Sequence, residues 1–371
     1  MTVAIFINNI SNGGGTEVVS IAYAMHLLEQ GDEVHFVTMG FKGTPKELEN
    51  TQMKIHSLQM DDKQVSLSSL QIDDAVNYCK KMKIERVVFV VNVPSTPVGN
   101  LNLILDIFHF SKVEVVFHSS PKSYLKRYWN SEHGVIGNLL RIAKTKFKIA
   151  PYARKFIKTL YKNNVKIFTL NHGCQREMKK YYGTQSEIRY NPYTFIELDL
   201  QRKKNIVTYC GRLAPEKNVF LLLKSWKVAK TNGWKLRLIG DGVQRNFLKK
   251  FCERNKLNNV EFLGSVPHTE IYSFMAESKV FCLTSFNEGF PTVVTEAMNM
   301  GNAIITTKFD GLSDELLNSE NCIIAKANAR RYSQALNKVL LNASLVTKMG
   351  EAAYERCKEF YFSKEYLEKI D

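Results

Sequence analysis

Two glutamates stand eight positions apart in the stretch FNEGFPTVVTEAMNMG, residues 286–301. The pattern predicts a loop that carries Glu288, a helix that begins at Pro291, and a place for Glu296 more than one turn inside that helix. Amides in the first turn of a helix can donate hydrogen bonds to anionic oxygens, and carboxylates accept hydrogen bonds from paired hydroxyls. The stretch therefore suits a ligand with both sugar and phosphate groups. The alternative is a solvated Glu296 and a Glu288 that is favourable near a helix N-terminus.

A second turn, YCGRLAPEKN, brings two cations together. Arg212 follows the carboxyl end of a predicted strand, and Lys217 lies in the first turn of a helix that Pro215 is expected to open. Two cations near a strand end and a helix N-terminus suit a diphosphate. A solvated basic turn is the alternative, and this stretch alone does not decide between the two.

Two other turns contain glycine. LIGDGVQ places Gly240 between a strand and a helix, where a glycine lets a ligand approach the backbone, although many α/β turns share this pattern. NNISNGGGTEVVS follows the first strand, and its Gly14 and Gly15 lie in a flexible loop before a helix that Thr16 is expected to cap. A dinucleotide-binding fingerprint would need glycine where Val18 stands, which disfavours a nicotinamide-dependent oxidoreductase.

Apolar runs alternate with segments of helical period along the whole chain. This pattern predicts an α/β protein with parallel sheets flanked by helices, and 371 residues suffice for two Rossmann-like, doubly wound domains. The clearest helices are expected at 17–29, 219–230, 244–256, 292–300 and 331–341.

The domain boundaries are predicted from the stretch YNPYTFIELDLQRKKN, which contains a proline and shows no clear hydrophobic period, as is typical of a linker. We expect a first domain at 1–190, a linker at 191–204, a second domain at 205–360 and a C-terminal helix at 361–371 that crosses back to the first domain. Such folds bind ligands at the carboxyl ends of their strands, so the expected ligand site is a cleft between the two sheets.

The composition, 44% hydrophobic and 23% charged, is typical of a soluble globular protein, whereas the net charge of +15 is not. This excess implies an anionic partner: nucleic acid, a phosphorylated substrate or anionic lipid. Seven cysteines without CxxC spacing are expected to be reduced and mostly buried, with no zinc site. The N-terminus does not resemble a signal peptide, and the longest apolar run, 87–93, is too short to cross a bilayer. A cytoplasmic protein with only peripheral membrane contact is therefore expected.

Residues 121–166 carry twelve basic residues against Glu132, a surplus of eleven within the +15 of the chain. Apolar residues such as Phe147, Phe156 and Leu160 are interleaved with them. A basic amphipathic surface suits an anionic bilayer and a substrate that a lipid holds at that bilayer. A solvated pair of basic helices and a nucleic-acid surface are the alternatives, although no nucleic-acid-binding module is recognisable. The predicted membrane or acceptor face comprises Lys122, Lys126, Arg127, Trp129, Arg141, Lys144 and Lys148.

Four motifs carry a family resemblance. GRLAPEKN, GDG, FLGSV and SFNEGFPTVVTEAM, in this order and spacing, resemble the signature of the retaining glycosyltransferases of family four, the glycosyl transferases group 1, which have the GT-B fold. The resemblance is strong over 205–341 and continues in topology through the first half. It implies that the second domain binds a nucleotide sugar and that the first binds the acceptor.

The resemblance also implies roles for single residues. Arg212 and Lys217 would hold the diphosphate of the donor, while Glu296 would bind its ribose hydroxyls and Glu288 the transferred sugar. His118, which ends the run VEVVFH, would lie beside that sugar, although a lone histidine is more often a satisfied structural residue. The implied catalytic set is His118, Arg212, Lys217 and Glu288, and the implied donor-binding set is Gly14, Gly15, Gly240, Val266, Phe290, Pro291, Thr292 and Glu296.

The function expected from these residues and this resemblance is the transfer of a sugar from a nucleoside diphosphate, with UDP the expected nucleotide, to a glycan or polyprenyl-linked acceptor. No covalent nucleophile stands out, so we expect attack on the same face of the sugar, with the leaving diphosphate accepting the proton. No DxD motif is visible, so neither a metal nor another cofactor is expected. The expected place is the inner face of the cell membrane, in polysaccharide or glycolipid biosynthesis. The alternative is a basic α/β module that binds nucleic acid or an anionic polymer without transferase activity.

Overall fold

The computed structural model divides the chain into two compact units, each with its own parallel sheet. The first unit contains Met1–Arg127, Leu139–Tyr193 and Lys369–Asp371, and the second contains Tyr128–Asn138 and Thr194–Glu368. The structure describes residues 1–10, 14–41, 43–61, 64, 66–92, 94, 96–125, 135–197, 203–309, 311–312 and 315–369.

Among the described residues of the first unit, seven strands form one parallel sheet. They are β1 (Thr2–Asn9), β2 (Glu33–Gly40), β3 (Lys54–Ser57), β4 (Arg86–Val91), β5 (Lys112–Phe117), β6 (Lys166–Thr169) and β7 (Glu187–Ile188). Their order across the sheet is β3-β2-β1-β4-β5-β6-β7. β1 and β4 are nearly continuous apolar runs because a parallel sheet is covered on both faces. Phe6 of β1 and Phe89 of β4 pack against each other, with their ring centroids 4.6 Å apart.

The helices between these strands are α1 (Gly15–Glu29), α2 (Ser69–Lys81), α3 (Leu101–Phe108), α4 (Val135–Lys144), α5 (Ala150–Lys162) and α6 (His172–Tyr182), with a π-helical turn, Thr145–Ile149, between α4 and α5. Of these helices, α1, α3, α5 and α6 pack on the sheet of the first unit. The division between the units falls within α4, after Asn138. The prediction that Thr16 caps α1 is wrong, because the helix begins one residue before it and Gly14 occupies the cap position. The Thr16 hydroxyl donates instead to Asn92 Oδ1 at 3.0 Å.

A cluster of charged residues is buried in the first unit. Glu114, on β5, accepts hydrogen bonds from Arg86 Nε at 3.0 Å and from Arg189 Nη2 at 2.7 Å. Arg86 Nη2 also donates to the Tyr23 hydroxyl at 2.8 Å. Burial by itself would raise the pKa of the Glu114 carboxyl, but the charges of Arg189 and Arg86 outweigh burial and lower it. The ionised carboxylate of Glu114 on β5 therefore bonds to Arg86 on β4 and to Arg189, the residue directly after β7.

The described residues of the second unit form a parallel sheet of six strands. They are β8 (Lys204–Cys210), β9 (Lys235–Ile239), β10 (Val260–Gly264), β11 (Ser278–Leu283), β12 (Ala303–Thr307) and β13 (Cys322–Ala325), in the order β10-β9-β8-β11-β12-β13. The helices are α7 (Val219–Val228), α8 (Arg245–Arg254), α9 (His268–Glu277), α10 (Thr292–Asn299), α11 (Ala329–Leu340), α12 (Ala343–Tyr361) and α13 (Lys364–Glu368). The predicted α/β class with two parallel sheets is confirmed.

The predicted helices differ from α1, α7, α8, α10 and α11 by no more than two residues at either end. Helix ends are less certain than helix interiors because capping and fraying decide them. Pro215 opens a helical turn that contains Lys217, as predicted, but this turn is a 3₁₀ helix of three residues, Pro215–Lys217. Asn218, at a positive φ of 51°, separates this turn from α7.

The boundary between the units falls at Tyr193, inside the stretch predicted as the linker, of which residues 198–202 lie outside the described part. α13 belongs to the second unit, whereas Lys369 groups with the first and its carbonyl accepts a hydrogen bond from the Tyr190 amide at 2.9 Å. All seven cysteines are buried, and none of them forms a disulfide. None of the helices in the described part of the chain has the length and apolar character needed to cross a membrane.

Candidate active site

The predicted donor residues of the second unit follow four strands of one sheet. Arg212 comes after β8, Gly240 after β9, Val266 after β10 and Glu288 after β11. Because all strands are parallel, these loops lie at the same carboxyl edge. In this sheet β9 lies on one side of β8 and β11 lies on the other side, so the strand order reverses at β8. Open α/β sheets bind ligands at such a reversal of strand order.

Lys217 and Glu288 form an ion pair at this edge. Lys217 Nζ donates to both carboxylate oxygens of Glu288, at 2.7 and 2.9 Å, and both side chains are largely buried. The turn of Lys217 is tied to the loop of Glu288 by two further bonds. The Thr284 hydroxyl donates to the Lys217 carbonyl at 3.1 Å, and the Phe286 amide donates to the Glu216 carbonyl at 2.9 Å. The fold thus holds two side chains next to each other: Lys217, which is predicted to bind phosphate, and Glu288, which is predicted to bind the sugar.

Arg212 extends into solvent from the same turn. Its Nη2 lies 2.9 Å from Glu216 Oε1, and 72% of its side chain is exposed. An exposed ion pair of this kind contributes little to stability, typically below about 1 kcal/mol. Arg212 can therefore leave Glu216 for a ligand at small cost.

Gly240 has a backbone role that the sequence did not reveal. Its φ is 122°, and an added Cβ would lie 2.1 Å from the Gly211 carbonyl oxygen. The Gly211 amide in turn donates to the Ile239 carbonyl at 3.0 Å. The close approach that glycine permits here is between two turns of the chain, which brings the Arg212 turn against the turn after β9. A contact of Gly240 with the donor remains a prediction.

The start of α10 is close to the predicted one. Pro291 lies one residue before the helix rather than at its first position, and Thr292 is the first helical residue. The first helical hydrogen bond runs from the Val294 amide to the Pro291 carbonyl at 2.8 Å. Phe290 is buried, while Pro291 and Thr292 are half-buried. The first amides of α10 therefore lie directly after the loop that carries Glu288.

Glu296 is buried on α10, which excludes the alternative of a solvated helix residue. Its Oε1 lies 3.0 Å from His268 Nε2, at the start of α9, and its Oε2 has no hydrogen-bond partner among the described residues. Val266, two residues before His268, is half-buried. Sequence reasoning missed His268, although a histidine just beyond the carboxyl end of β10 was a usable signal. The pair leaves one oxygen of a fixed carboxylate available to a ligand hydroxyl.

The second unit matches a known protein family over residues 194–356, the Glycosyl transferases group 1. Residues 194–356 form a glycosyl transferases group 1 domain. Arg212, Lys217, Glu288 and Glu296 all lie within this group 1 domain.

Two relatives resemble the chain over about half of their own length. The uncharacterized glycosyltransferase MJ1178 of Methanocaldococcus jannaschii is 28% identical over 211 residues, which are 57% of this chain and 54% of that protein. The GalNAc-alpha-(1->4)-GalNAc-alpha-(1->3)-diNAcBac-PP-undecaprenol alpha-1,4-N-acetyl-D-galactosaminyltransferase of Campylobacter jejuni is 28% identical over 176 residues, 45% of this chain and 48% of that protein. This chain spans about half the length of these two proteins.

A solved structure resembles the whole chain. A TarM mutant of S. aureus, crystallised with Fondaparinux, alpha-GlcNAc-glycerol and UDP, superposes with a TM-score of 0.76 at 13% identity, over 99% of this chain and 98% of TarM. At this identity the likeness shows the fold, which is the predicted GT-B fold.

The remaining predicted residues lie in the first unit, outside the group 1 domain. Gly14 caps α1 and its carbonyl accepts a hydrogen bond from the Val18 amide at 3.0 Å. A Cβ on Gly14 would lie 2.5 Å from Glu17 Oε2, whereas one on Gly15 would meet no atom within 4 Å. Gly14 and Gly15 therefore differ in the room around them, and their contact with donor phosphates remains a prediction.

His118 is not a satisfied structural histidine. Its amide donates to the Val91 carbonyl at 3.0 Å, but its ring has no hydrogen-bond partner in the described ranges. Burial and the nearby charge of Arg189 lower the pKa of His118 to about 4. The ring is therefore neutral at physiological pH, with one nitrogen that donates and one that accepts. The following loop is fixed by Glu177, whose Oε2 accepts from the Ser120 hydroxyl at 2.5 Å.

The predicted basic face is only partly described. Lys126, Arg127 and Trp129 lie outside the described residues. Lys144 and Lys148 are exposed and Arg141 is half-buried, all on α4 or the π-helical turn after it. Lys122 lies on a separate 3₁₀ turn, Pro121–Tyr124.

The apolar residues within the basic stretch 121–166 fall into a buried group and an exposed group. Phe156 and Leu160 were predicted to belong to the amphipathic surface, but they are buried in the core of the first unit, because they lie on the inner side of α5. The exposed apolar residues instead belong to α4 and the π-helical turn. They are Val135, Ile136, Leu139, Leu140, Ile142 and Phe147, and Phe147 is 72% exposed.

Proposed function

We propose that the protein is a retaining glycosyltransferase that transfers a sugar from a nucleoside diphosphate, with UDP as the nucleotide, to a hydroxyl of a glycan or lipid-linked acceptor. The observation that carries the proposal is the Lys217–Glu288 ion pair beside Arg212 at the carboxyl edge of the second sheet. It sets a phosphate-binding cation and a hydroxyl-binding carboxylate next to each other. The UDP in the TarM crystals supports the choice of nucleotide.

In the proposed reaction, the acceptor hydroxyl attacks the anomeric carbon on the face from which the diphosphate leaves. The bond from the sugar to the diphosphate breaks, and the hydroxyl proton passes to an oxygen of the leaving diphosphate. Negative charge grows on that diphosphate, where Lys217 and Arg212 stabilise it most strongly in the transition state. The proposal includes no metal, because these two cations supply the positive charge.

Glu296 completes the proposed nucleotide site. Its buried carboxylate is held by His268 through Oε1, and Oε2 is the proposed acceptor for a ribose hydroxyl. A hydrogen bond to a charged group contributes about 1.5–3 kcal/mol, which corresponds to roughly tenfold or more in affinity.

We expect UDP to raise the melting temperature of the protein more than GDP or ADP at the same concentration, in buffer with EDTA. The variant Glu296→Gln should bind UDP about tenfold more weakly, because a neutral amide replaces the charged acceptor. Glu270→Gln, an exposed glutamate on α9, is the matched control and should bind UDP as the wild type does. If none of the three nucleotides raised the melting temperature, the proposed donor site would be wrong.

We further propose that α4 and the π-helical turn after it contact an anionic membrane surface, where a polyprenyl-linked acceptor would be held. Exposed Leu140 and Phe147 lie among Lys144, Lys146 and Lys148, so apolar insertion and attraction to anionic lipid act together. The undecaprenol in the name of the C. jejuni relative supports this class of acceptor.

The protein should float with vesicles of phosphatidylglycerol and phosphatidylcholine but not with phosphatidylcholine alone, and salt should weaken the binding. Leu140→Ser should lower vesicle affinity about tenfold, because it removes an exposed leucine from the inserting face. Leu70→Ser, on α2, is the control, since Leu70 is the same residue type and is more exposed than Leu140. Salt-sensitive binding of an oligonucleotide without any binding of vesicles would instead favour a nucleic-acid surface.

A further inference from the structure

Arg245 lies at the carboxyl edge of the second sheet, after β9. It is the first residue of α8, and its amide donates to the Gly242 carbonyl at 3.0 Å. The proposed contacts with phosphate and ribose involve Lys217, Arg212 and Glu296, so they do not use this arginine. Arg245 is therefore a candidate for contact with the remaining part of a nucleotide, which is the base.

Asp241 holds one end of the Arg245 guanidinium. Arg245 Nη1 donates to Asp241 Oδ2 at 3.1 Å, and Asp241 Oδ1 accepts from the Gly242 amide at 2.7 Å. Nε of Arg245 is buried, but 35% of the side chain is exposed, and Nη2 has no hydrogen-bond partner among the described residues. Asp241 thus fixes the guanidinium, while Nη2 keeps two N–H groups for a ligand.

Nη2 of Arg245 lies over the end of β10. A Cβ added to Gly264, the last residue of β10, would lie 3.5 Å from this nitrogen. The Gly264 carbonyl accepts a hydrogen bond from the Gly240 amide at 2.7 Å, which ties the end of β10 to the end of β9. Because no side chain at position 264 covers the backbone, a flat ligand group that lies along the end of β10 can reach Nη2.

The end of β10 is where the base of a bound nucleotide is expected from the geometry of the sheet. β10 lies two strands from β8, which is about 10 Å at the usual spacing of neighbouring strands. The proposed diphosphate contacts follow β8, and the proposed ribose contact, Glu296, pairs with His268 at the start of α9. His268 lies four positions after Gly264. A nucleotide held at both places would direct its base toward Gly264 and the guanidinium above it.

A guanidinium at this place can distinguish one pyrimidine from the other. Arginine donates hydrogen bonds and accepts none. Uracil presents a carbonyl oxygen, O4, at the position where cytosine presents an amino group, which is itself a donor. Cytosine would therefore set two donors against each other and leave both without a partner, which costs binding free energy.

We propose that Arg245 Nη2 donates a hydrogen bond to a carbonyl oxygen of the base and thereby selects a uracil nucleotide over a cytosine nucleotide. The inference deepens the proposed function, because it rests on the binding of a nucleoside diphosphate at the second sheet. Asp241 is a positioning residue in this arrangement, since it contacts the guanidinium and not the base. All of these groups belong to the second unit.

The test measures affinity by calorimetry for three probes: UDP, CDP and ribose 5-diphosphate, which has no base. The wild type should bind UDP about tenfold or more tightly than CDP. Arg245→Met should weaken UDP binding about tenfold and bring the affinities for UDP and CDP close together. The affinity for ribose 5-diphosphate should be nearly the same in both proteins, because this probe lacks the group that Arg245 contacts.

Two further variants serve as controls. Arg254→Met removes the same charge from an exposed arginine at the end of α8, so it should keep the wild-type preference for UDP. Arg245→Gln is the second variant at the site itself, and it is used alone if Arg245→Met does not fold. Its side-chain amide offers both a donor and an acceptor, so it should bind UDP and CDP about equally.

The outcomes separate this inference from the proposed function. Equal binding of UDP and CDP by the wild type, or a preference for UDP that persists in the folded Arg245 variants, would refute the role of Arg245. Equal weakening of UDP and ribose 5-diphosphate by Arg245→Met would refute it as well, because the arginine would then act on the phosphates. In all three cases UDP still binds to the wild type, so the proposed function stands. Absence of UDP binding to the wild type would refute the proposed function and this inference with it.

Discussion

Lys217→Met should lower the rate of sugar transfer by about 100-fold or more. The developing charge on the leaving diphosphate would lose its most buried cation, and the removal of one such electrostatic partner typically costs about 10²–10³ in turnover. The variant should still bind nucleotide weakly, because Arg212 and the start of α10 remain. The measurement is turnover under saturating donor, with release of UDP as the readout.

Two control variants separate chemistry from folding in this prediction. Lys227→Met removes an exposed lysine of α7 and the same charge, so its turnover should equal that of the wild type. Lys217→Met leaves Glu288 largely buried without its partner, which costs stability. The double variant Lys217→Met with Glu288→Gln should regain stability but not activity. Turnover of Lys217→Met within a few-fold of the wild type would show that Lys217 does not act on the diphosphate.

Glu114→Gln should destabilise the first unit by about 3–5 kcal/mol. The substitution removes the carboxylate that bonds to two buried guanidinium groups, those of Arg86 and Arg189, and breaking a buried ion cluster by removing one partner is strongly destabilising. The measurement is the midpoint of urea unfolding. Glu187→Gln removes an exposed carboxylate 3.7 Å from Lys166, and it should cost less than about 1 kcal/mol.

The same cluster has a defined dependence on pH. The folded pKa of Glu114 lies below its ordinary value of 4.5, so the carboxylate stabilises the fold above that value. This contribution is lost as pH falls through the folded pKa. Glu114→Gln should therefore remove part of the acid sensitivity of the wild type below about pH 4.5. Equal stability of the variant and the wild type at neutral pH would show that the two arginines do not need this carboxylate.

The predicted donor residues converge for a topological reason. Glu288 lies 71 positions from Lys217, yet the two side chains touch because β8 and β11 are neighbours in the sheet. His268 and Glu296 meet in the same way, from the start of α9 and the interior of α10. Both carboxylates that the sequence singled out are thereby held by a basic partner. Of these two basic partners, Lys217 was predicted from the sequence to be a site residue, and His268 was not.

The sequence by itself determined the alternation of strands and helices, the bounds of the main helices to within two residues, and the motifs that carry the group 1 domain. These features are local, because hydrophobic period, glycine and proline act over a few residues. Where the local signal was weak, details differed: Thr16 does not cap α1, and the helix that Pro215 opens is only a 3₁₀ turn.

Only the tertiary structure decided which side chains meet and which are hidden. Phe156 and Phe147 look alike in the sequence, but one is in the core and the other is 72% exposed, because the packing of each helix on the sheet selects its inner face. The cluster of Arg86, Glu114 and Arg189 joins residues up to 103 positions apart, since 189 minus 86 is 103, and no local pattern encodes it. Such contacts depend on strand order and register, which are set by the packing of the whole sheet rather than by any short stretch of chain.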